Sequence, residues 1–171
     1  MLDSARVAVT MSFNPIDILV KVFDELFTFL DLDHKFMTEV PESSLNSTEK
    51  VNVLVGVTGD LEGNIMFCYS FDVAKFIASK MMGLQDIGEV DFFAKTALAD
   101  FHSEFCKRFI HYAKIANMDE VADKEKGYTL LSADPTYISG EAMYGMISKV
   151  PAKKLFFKLK GEKFGIAYSL V

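Results

Sequence analysis

The stretch "LADFHSEF", which begins at Leu98, contains the polar side chains of this chain that are best spaced for joint chemistry. Asp100 and Ser103 are three residues apart, so a helix places the carboxylate and the hydroxyl on one face, within reach of a common partner. The alternative is a solvated face, on which charges four residues apart, such as Glu104 and Arg108, only stabilise the helix. Spacing alone favours this second interpretation.

The residues around this stretch predict a long amphipathic helix from about Glu89 to Ala116. At about 100° per residue, the apolar and the polar side chains fall on opposite arcs. The apolar arc consists of Leu98, Phe101, Phe105, Phe109 and Tyr112. The polar arc consists of Asp100, Ser103, Glu104, Lys107, His111 and Lys114. We therefore expect the aromatic arc to be buried and the polar arc to face outward.

His102 and Cys106 are one turn apart near the apolar arc, and a metal site there would need a further ligand such as Cys68. The chain has neither the CxxC nor the HExxH spacing that zinc sites commonly use. A packed histidine that is bonded to a backbone carbonyl explains His102 better. We therefore predict no metal site, and the metal hypothesis stays as a minor alternative.

Two further helices and a hairpin are predicted from capping and turn residues. Asn14 suits the N-cap of a first helix, and Pro15 suits its first position. The apolar runs "KVNVLVGVTG" and "GNIMFCYS", separated by "DLEG", predict a β-hairpin. The segment "FDVAKFIASKMMG" predicts a second helix, which Ser70 caps and Gly83 ends.

The remaining apolar runs predict short strands, and together the elements predict an α+β fold. The strand segments are "HKFMTEV", "YTLLSA", "TYISG", "KLFFKLK" and "FGIAYSL". Residues 160–163 predict the turn of a closing hairpin, and "PESSLNSTEK" and "NMDEVADKEKG" predict polar connections. We expect a mainly antiparallel sheet with about three helices packed on it. The single domain would span residues 12–171, after a loose N-terminal leader at residues 1–11.

Composition excludes several classes of partner. The chain has 171 residues, which fits one domain, and its net charge of −6 argues against nucleic acid or an anionic membrane surface as the main partner. Two cysteines suit a reducing cytoplasm rather than a disulfide framework. The longest nearly apolar window, residues 16–32, carries several charges and is too polar to span a bilayer. A cytoplasmic location is therefore expected.

Four segments, in order, resemble the CheX-like members of the CheC/CheX/FliY chemotaxis phosphatase family. "FNPIDILVKVFDEL" is similar to the opening helix of that family, and "VLVGVTGDLEGNIMFCYSFDVAKFIASKMMG" to its hairpin-and-helix segment. "LLSADPTYISGEAM" is similar to its "SPPTVVSGE"-type stretch, and "KLFFKLKGEKFGIAYSL" is similar to its closing hairpin. The resemblance covers about residues 12–170 and implies a homodimer.

The activity that this resemblance implies is dephosphorylation of a phosphorylated CheY-type receiver domain. The family motif is Glu-x-x-Asn on the long helix: the Glu contacts a receiver lysine, and the Asn amide orients a water for in-line attack on the phospho-aspartate. The receiver supplies the aspartate and Mg²⁺, so the chain needs no cofactor of its own.

Laid on this chain, the motif places Asp100 at the Glu position and Ser103 at the Asn position. Asp100 keeps the charge on a shorter side chain, whereas Ser103 lacks the planar amide. Lys107 replaces a small residue, and it and Glu104 are candidate partner-binding residues, with Glu104 as a substitute anchor. Two functions follow as expectations: a weak phospho-aspartate phosphatase, or a non-enzymatic domain that binds a receiver or another signalling protein through the same face.

Overall fold

Three helices and seven strands are described in the computed structural model, which covers residues 14–37, 51–117, 130–138 and 153–170. The helices are α1 (Pro15–Phe29), α2 (Phe71–Met81) and α3 (Phe92–Asn117). The strands are β1 (His34–Met37), β2 (Val51–Gly59), β3 (Gly63–Tyr69), β4 (Leu130–Ser132), β5 (Thr136–Ile138), β6 (Lys153–Leu159) and β7 (Glu162–Leu170). The predicted leader at residues 1–11, the polar loop at 41–50 and the connector beyond residue 117 lie outside the described residues.

The predicted caps of the first two helices are confirmed. The Asn14 side chain accepts a hydrogen bond from the Ile16 amide at 3.2 Å, and Pro15 takes the first helical position. The Ser70 hydroxyl accepts from the Val73 amide at 3.2 Å. After α2, Gly83 has φ 69°, a left-handed conformation that glycine adopts without steric cost.

The predicted start of the third helix at Glu89 is wrong, because α3 begins at Phe92. The Asp91 side chain accepts a hydrogen bond from the Ala94 amide at 2.9 Å, which is the geometry of an N-cap. The Asp91 backbone carbonyl also accepts from the Lys95 amide at 3.0 Å. An acidic side chain at this end is favoured by the helix dipole as well. The residues between Gly83 and Asp91 therefore form a connection, not a helix turn.

Two tight connections produce the predicted hairpins. β2 and β3 pair antiparallel from Val51↔Tyr69 to Val57↔Gly63. β6 and β7 are joined by Lys160 and Gly161, which have φ values of 50° and 88°. Two positive φ values match the two-residue turns that suit the twist of a hairpin. Glu162 and Lys163, predicted in the turn, belong instead to β7.

The seven strands form one antiparallel sheet in the order β1-β6-β7-β3-β2-β4, with β5 also paired to β2. The α+β prediction of an antiparallel sheet with three helices is therefore confirmed. Alternate residues of the central strands pack with the three helices into one main core. Phe23 of α1 is central to it, with ring centroids 4.7 Å from Phe105 and 5.0 Å from Phe157. Within the described ranges, no helix is long and apolar enough to cross a membrane.

Candidate functional site

The outward face of α3 carries the candidate residues. Asp100 and Lys107 are exposed, whereas Ser103 and Glu104 are half-buried. On the opposite side, Leu98, Phe101, Phe105 and Phe109 are all buried, and Tyr112 is half-buried. The predicted division of the helix into an apolar and a polar arc is thus confirmed. The core packing of the aromatic arc fixes which way the polar arc points.

Three groups of this face are left for a partner. Among the described residues, no hydrogen bond or ion pair engages the side chains of Asp100, Ser103 or Lys107. Together they offer a carboxylate, a hydroxyl that both donates and accepts, and an ammonium group. Asp100 and Ser103 lie on successive turns of one side of the helix, so one partner surface can contact both. These three polar groups therefore face outward from the helix.

Glu104 differs from its neighbours because it already has a partner within the chain. Its Oε1 accepts a hydrogen bond from the Arg108 Nε at 2.9 Å, which is a pair between residues four apart on the helix. The Arg108 Nη1 also donates to Glu25 of α1 at 3.2 Å. The hydrogen bond to Glu104 is the largest cause that raises the pKa of Arg108. A role for Glu104 as a partner anchor would therefore compete with this ion pair.

The same network ties α3 to α1. Glu25 accepts from the Tyr112 hydroxyl at 2.6 Å, and this hydrogen bond is the main reason that the pKa of Tyr112 is raised. Lys21 lies over the Tyr112 ring, with its Nζ 3.9 Å from the ring centroid, within the range of a cation–π contact. These contacts hold the two helices together on the side that lies next to the candidate face.

Tyr137 of β5 contacts the candidate helix α3, and the sequence did not indicate it. Its hydroxyl donates to the backbone carbonyl of Lys95 in α3. Burial raises the pKa of Tyr137 to about 12, and the negative charge of Asp100 contributes in the same direction. The residue belongs to the "LLSADPTYISGEAM" stretch, but only the pairing of β5 with β2 brings it to α3. Nothing local in the sequence signals that approach.

His102 points the other way, into the core, and both of its ring nitrogens are engaged. Nδ1 is 2.6 Å from the Leu98 carbonyl oxygen, and Nε2 is 2.9 Å from the Tyr69 hydroxyl. Because a carbonyl only accepts, Nδ1 carries the proton and Tyr69 donates to Nε2. Burial lowers the pKa of His102 to about 4. The predicted packed histidine bonded to a backbone carbonyl is confirmed.

Cys68 and Cys106, the other residues of the metal hypothesis, do not form a cluster of metal ligands with His102. Cys106 is buried in the main core, where burial raises the pKa of its thiol to about 11 and a hydrogen bond with Ser132 acts in the opposite direction. Cys68 packs instead with Met66, Phe156 and Ala167, in a smaller cluster separate from the main core. No group of three potential metal ligands occurs within the described part of the chain.

The architecture matches a class of fold that is found in chemotaxis proteins. No family model matches the chain. No curated protein matches it either. Solved structures do match, and they give the chain a CheX-like fold that is also found in FliY. All of the matches described below have sequence identities under 20%, so they establish the fold and not the activity.

Three of these structures show how much of the chain the likeness covers. The chemotaxis protein CheX from Desulfovibrio desulfuricans has 17% identity and a TM-score of 0.66, over 93% of this chain and 100% of that one. CheX in a complex with CheY, BeF3 and Mg²⁺ from Borrelia burgdorferi has 19% identity and a TM-score of 0.60, over 92% and 97%. FliY from Thermotoga maritima has 17% identity and a TM-score of 0.58, over 88% and 83%.

Proposed function

We propose that this chain acts on a phosphorylated CheY-type receiver domain, and that it does so as a slow phospho-aspartate phosphatase. The observation that carries the proposal is the outward side of α3 on a CheX-like fold, where the side chains of Asp100 and Ser103 have no hydrogen bond or ion pair with another described residue. The CheX of Borrelia burgdorferi, which shares this fold, is known in a complex with CheY. This supports a receiver as the class of partner.

In this reaction, a water oxygen attacks the phosphorus in line with the bond to the receiver aspartate. That P–O bond breaks, the aspartate leaves as a carboxylate, and both protons of the water remain on the released dihydrogen phosphate. Asp100 would bind a cationic group of the receiver, and the Ser103 hydroxyl would accept a hydrogen bond from the attacking water. The Mg²⁺ belongs to the receiver, where it neutralises charge on the phosphoryl oxygens.

The rate should be low because a serine hydroxyl is shorter than an amide. Loss of one well-placed transition-state hydrogen-bonding group commonly costs about 10²–10³ in rate. An error of about 1 Å in the position of a reacting group can cost about 10²-fold. Both effects act on the chemical step rather than on binding. The protein is therefore expected to bind the receiver more tightly than its slow rate of dephosphorylation suggests.

The test mixes the protein with phosphorylated receivers and Mg²⁺ and follows loss of the acyl phosphate. Wild-type protein should accelerate the loss over the receiver alone. Asp100→Ala should raise the protein concentration needed for half-maximal rate, and Ser103→Ala should lower the maximal rate. His111→Ala, another exposed side chain of α3, is the matched control and should change neither. Absence of acceleration across a broad panel of receivers would contradict the phosphatase proposal, and full activity in the double alanine variant would contradict the site.

A second candidate function is binding without turnover, and two features of the face favour it. Ser103 lacks the amide, and exposed Lys107 places a cation where a partner would dock. Titration with phosphorylated and unphosphorylated receivers would then give phosphorylation-dependent binding with no change in the lifetime of the phosphate. If no receiver binds in either state, both functions are wrong.

The homodimer implied by the resemblance remains part of this proposal. Among the described strands, β1 forms one edge of the sheet, and an edge strand offers unpaired backbone groups to another strand. Sedimentation velocity at several concentrations would test it. A monomer at all concentrations would remove the dimer from the proposal and leave the receiver-directed function intact.

A further inference from the structure

The connection between α2 and α3 leaves an exposed groove whose lining is partly apolar and partly acidic. It has a volume of about 580 Å³ and is lined by Met82, Leu84, Ile87, Gly88, Glu89, Asp91 and Phe93. Phe93 is 67% exposed, and the adjacent Phe92 is 77% exposed, with the two rings 5.9 Å apart. Single exposed apolar residues are ordinary, but a cluster around a concave surface is typical of an interaction site.

The groove continues the candidate face along the same helix. Phe93 precedes Asp100 by seven residues, and Lys107 follows Asp100 by another seven. Seven residues are almost two full turns, so the three side chains lie in a row on one side of α3 over about 21 Å. A stable interface buries about 800 Å² on each partner, which is more than Asp100 and Ser103 supply. A partner seated on them therefore needs further surface, and the groove offers it on the same helix.

Charge is distributed unevenly along this row. Glu89 and Asp91 line the groove, and exposed Asp86 lies in the same connection. At the other end, Lys107 supplies a positive charge. A partner that complements this pattern presents an apolar side chain flanked by Lys or Arg to the groove and acidic groups to Lys107. Complementary charges of this kind fix the orientation of docking and suppress wrong partners.

A second copy of the chain fits the groove poorly. In a two-fold symmetric contact, the same patch appears on both subunits. The acidic rim of one copy would then lie close to the acidic rim of the other, on a chain whose net charge is −6. Like charges in an interface oppose association.

We infer that the groove between α2 and α3 is the apolar anchor site for the same receiver domain that docks on Asp100 and Ser103. This inference rests on the proposed function. The receiver contributes an apolar residue flanked by basic ones at the N-terminal end of α3, and it meets Lys107 with an acidic surface. Phe93 is then the main source of affinity, because buried aromatic residues dominate interfaces, whereas Ser103 contributes to the chemical step.

The experiment measures the dissociation constant for a panel of CheY-type receivers, each held in the activated state by beryllofluoride and Mg²⁺. For a receiver that binds the wild type, Phe93→Ala should raise the dissociation constant by about 5- to 30-fold. Phe29→Ala is the matched control, because Phe29 is 78% exposed on α1 and does not line the groove, and it should have no effect. Glu89→Lys should weaken binding several-fold and reduce its salt dependence, and it leaves the Asp91 cap intact.

The possible outcomes distinguish the anchor assignment from the proposed function. If a receiver binds the wild type and Phe93→Ala equally well, the anchor assignment is wrong and the proposed function stands. If no activated receiver binds the wild type, the proposed function is wrong and the anchor assignment falls with it. If Phe93→Ala instead dissociates a dimer of the chain in sedimentation velocity, the groove is a contact between copies, which overturns its assignment to a receiver.

Discussion

The two sides of helix α3 differ in how their polar groups are satisfied. On the inward side, His102 is the only fully buried polar residue of the helix among those described, and both of its nitrogens have partners in the core. On the outward side, Asp100, Ser103 and Lys107 have no such partners within the described ranges. A buried polar group without a partner is costly, whereas an exposed one is solvated by water. The inward side therefore serves stability, and the outward side is free to serve a partner.

The largest effect expected from this difference is a loss of stability on the inward side. Phe105→Ala removes a ring that packs 4.7 Å from Phe23 and 5.0 Å from Phe67, measured between centroids. The free energy of unfolding should fall by about 3–5 kcal/mol, as for other buried phenylalanines. Urea denaturation measures it. Phe93→Ala, on the exposed part of the same helix, should change stability by less than about 0.5 kcal/mol. Equal losses of unfolding free energy in the two variants would contradict the conclusion that the inward side of α3 carries its contribution to stability.

The next effect concerns activity on the outward side. Ser103→Asn restores an amide at the position where the hydroxyl is proposed to orient water, and the dephosphorylation rate should rise by up to about 10²–10³. Ser103→Gln is the control, because it adds the same amide on a longer side chain and should give a much smaller rise. Both rates follow from single-turnover loss of the receiver phosphate. If Ser103→Gln raised the dephosphorylation rate as much as Ser103→Asn, the position of the amide would be unimportant. That result would contradict the proposed role of residue 103.

A third effect is a dependence of stability on pH that comes from the inward side. The pKa of His102 is lowered from 6.5 to about 4 by burial, so the unfolded chain binds this proton more readily than the folded one. Protonation of this group should therefore lower the free energy of unfolding by about 3 kcal/mol as the pH is lowered from about 6.5 to about 4. Below about pH 4, this group should cause no further loss.

Two measurements check this pH dependence. An NMR titration of the three histidine rings should show that His102 stays neutral down to about pH 4. In denaturation at several pH values, the stability of His102→Gln should depend on pH less steeply over that range than the stability of the wild type. A His102 ring that becomes protonated near pH 6.5 in the folded protein would contradict the account of its burial.

The smallest effect is expected for stability on the outward side. Asp100→Ala and Ser103→Ala remove groups that have no hydrogen bond or ion pair among the described residues. Each should change the free energy of unfolding by less than about 0.5 kcal/mol, whatever it does to the receiver. Thermal denaturation of the two variants beside the wild type measures this. A loss above about 1 kcal/mol would reveal a structural role for these side chains.

The sequence predicted the orientation of α3 because that orientation depends on local periodicity. The aromatic arc from Leu98 to Phe109 repeats at helical spacing over several turns, and the burial pattern follows it. The caps at Asn14 and Ser70 were predictable for the same reason, since a cap bonds to backbone amides two or three residues away. The start of α3 was missed because Asp91, and not Glu89, supplies the side chain that bonds to the helix.

What was not predicted depends on contacts between residues far apart in the chain. The Tyr69 hydroxyl that satisfies His102 is 33 positions away, and Tyr137 approaches α3 only because β5 pairs with β2. The groove between α2 and α3 could not be predicted either. It arises from how the connection after Gly83 lies between α2 and α3, and exposed phenylalanines have the same sequence pattern as buried ones.

The hydrogen bond between His102 and Tyr69 also limits the rotation of α3 about its own axis. A rotation by one residue, about 100°, would break this bond and remove Phe101 and Phe105 from the core. The direction in which Asp100 and Ser103 project is therefore set by the core behind them, to which a tyrosine of strand β3 contributes. A substitution of Tyr69 is therefore expected to affect a docked protein without touching the surface that this protein contacts.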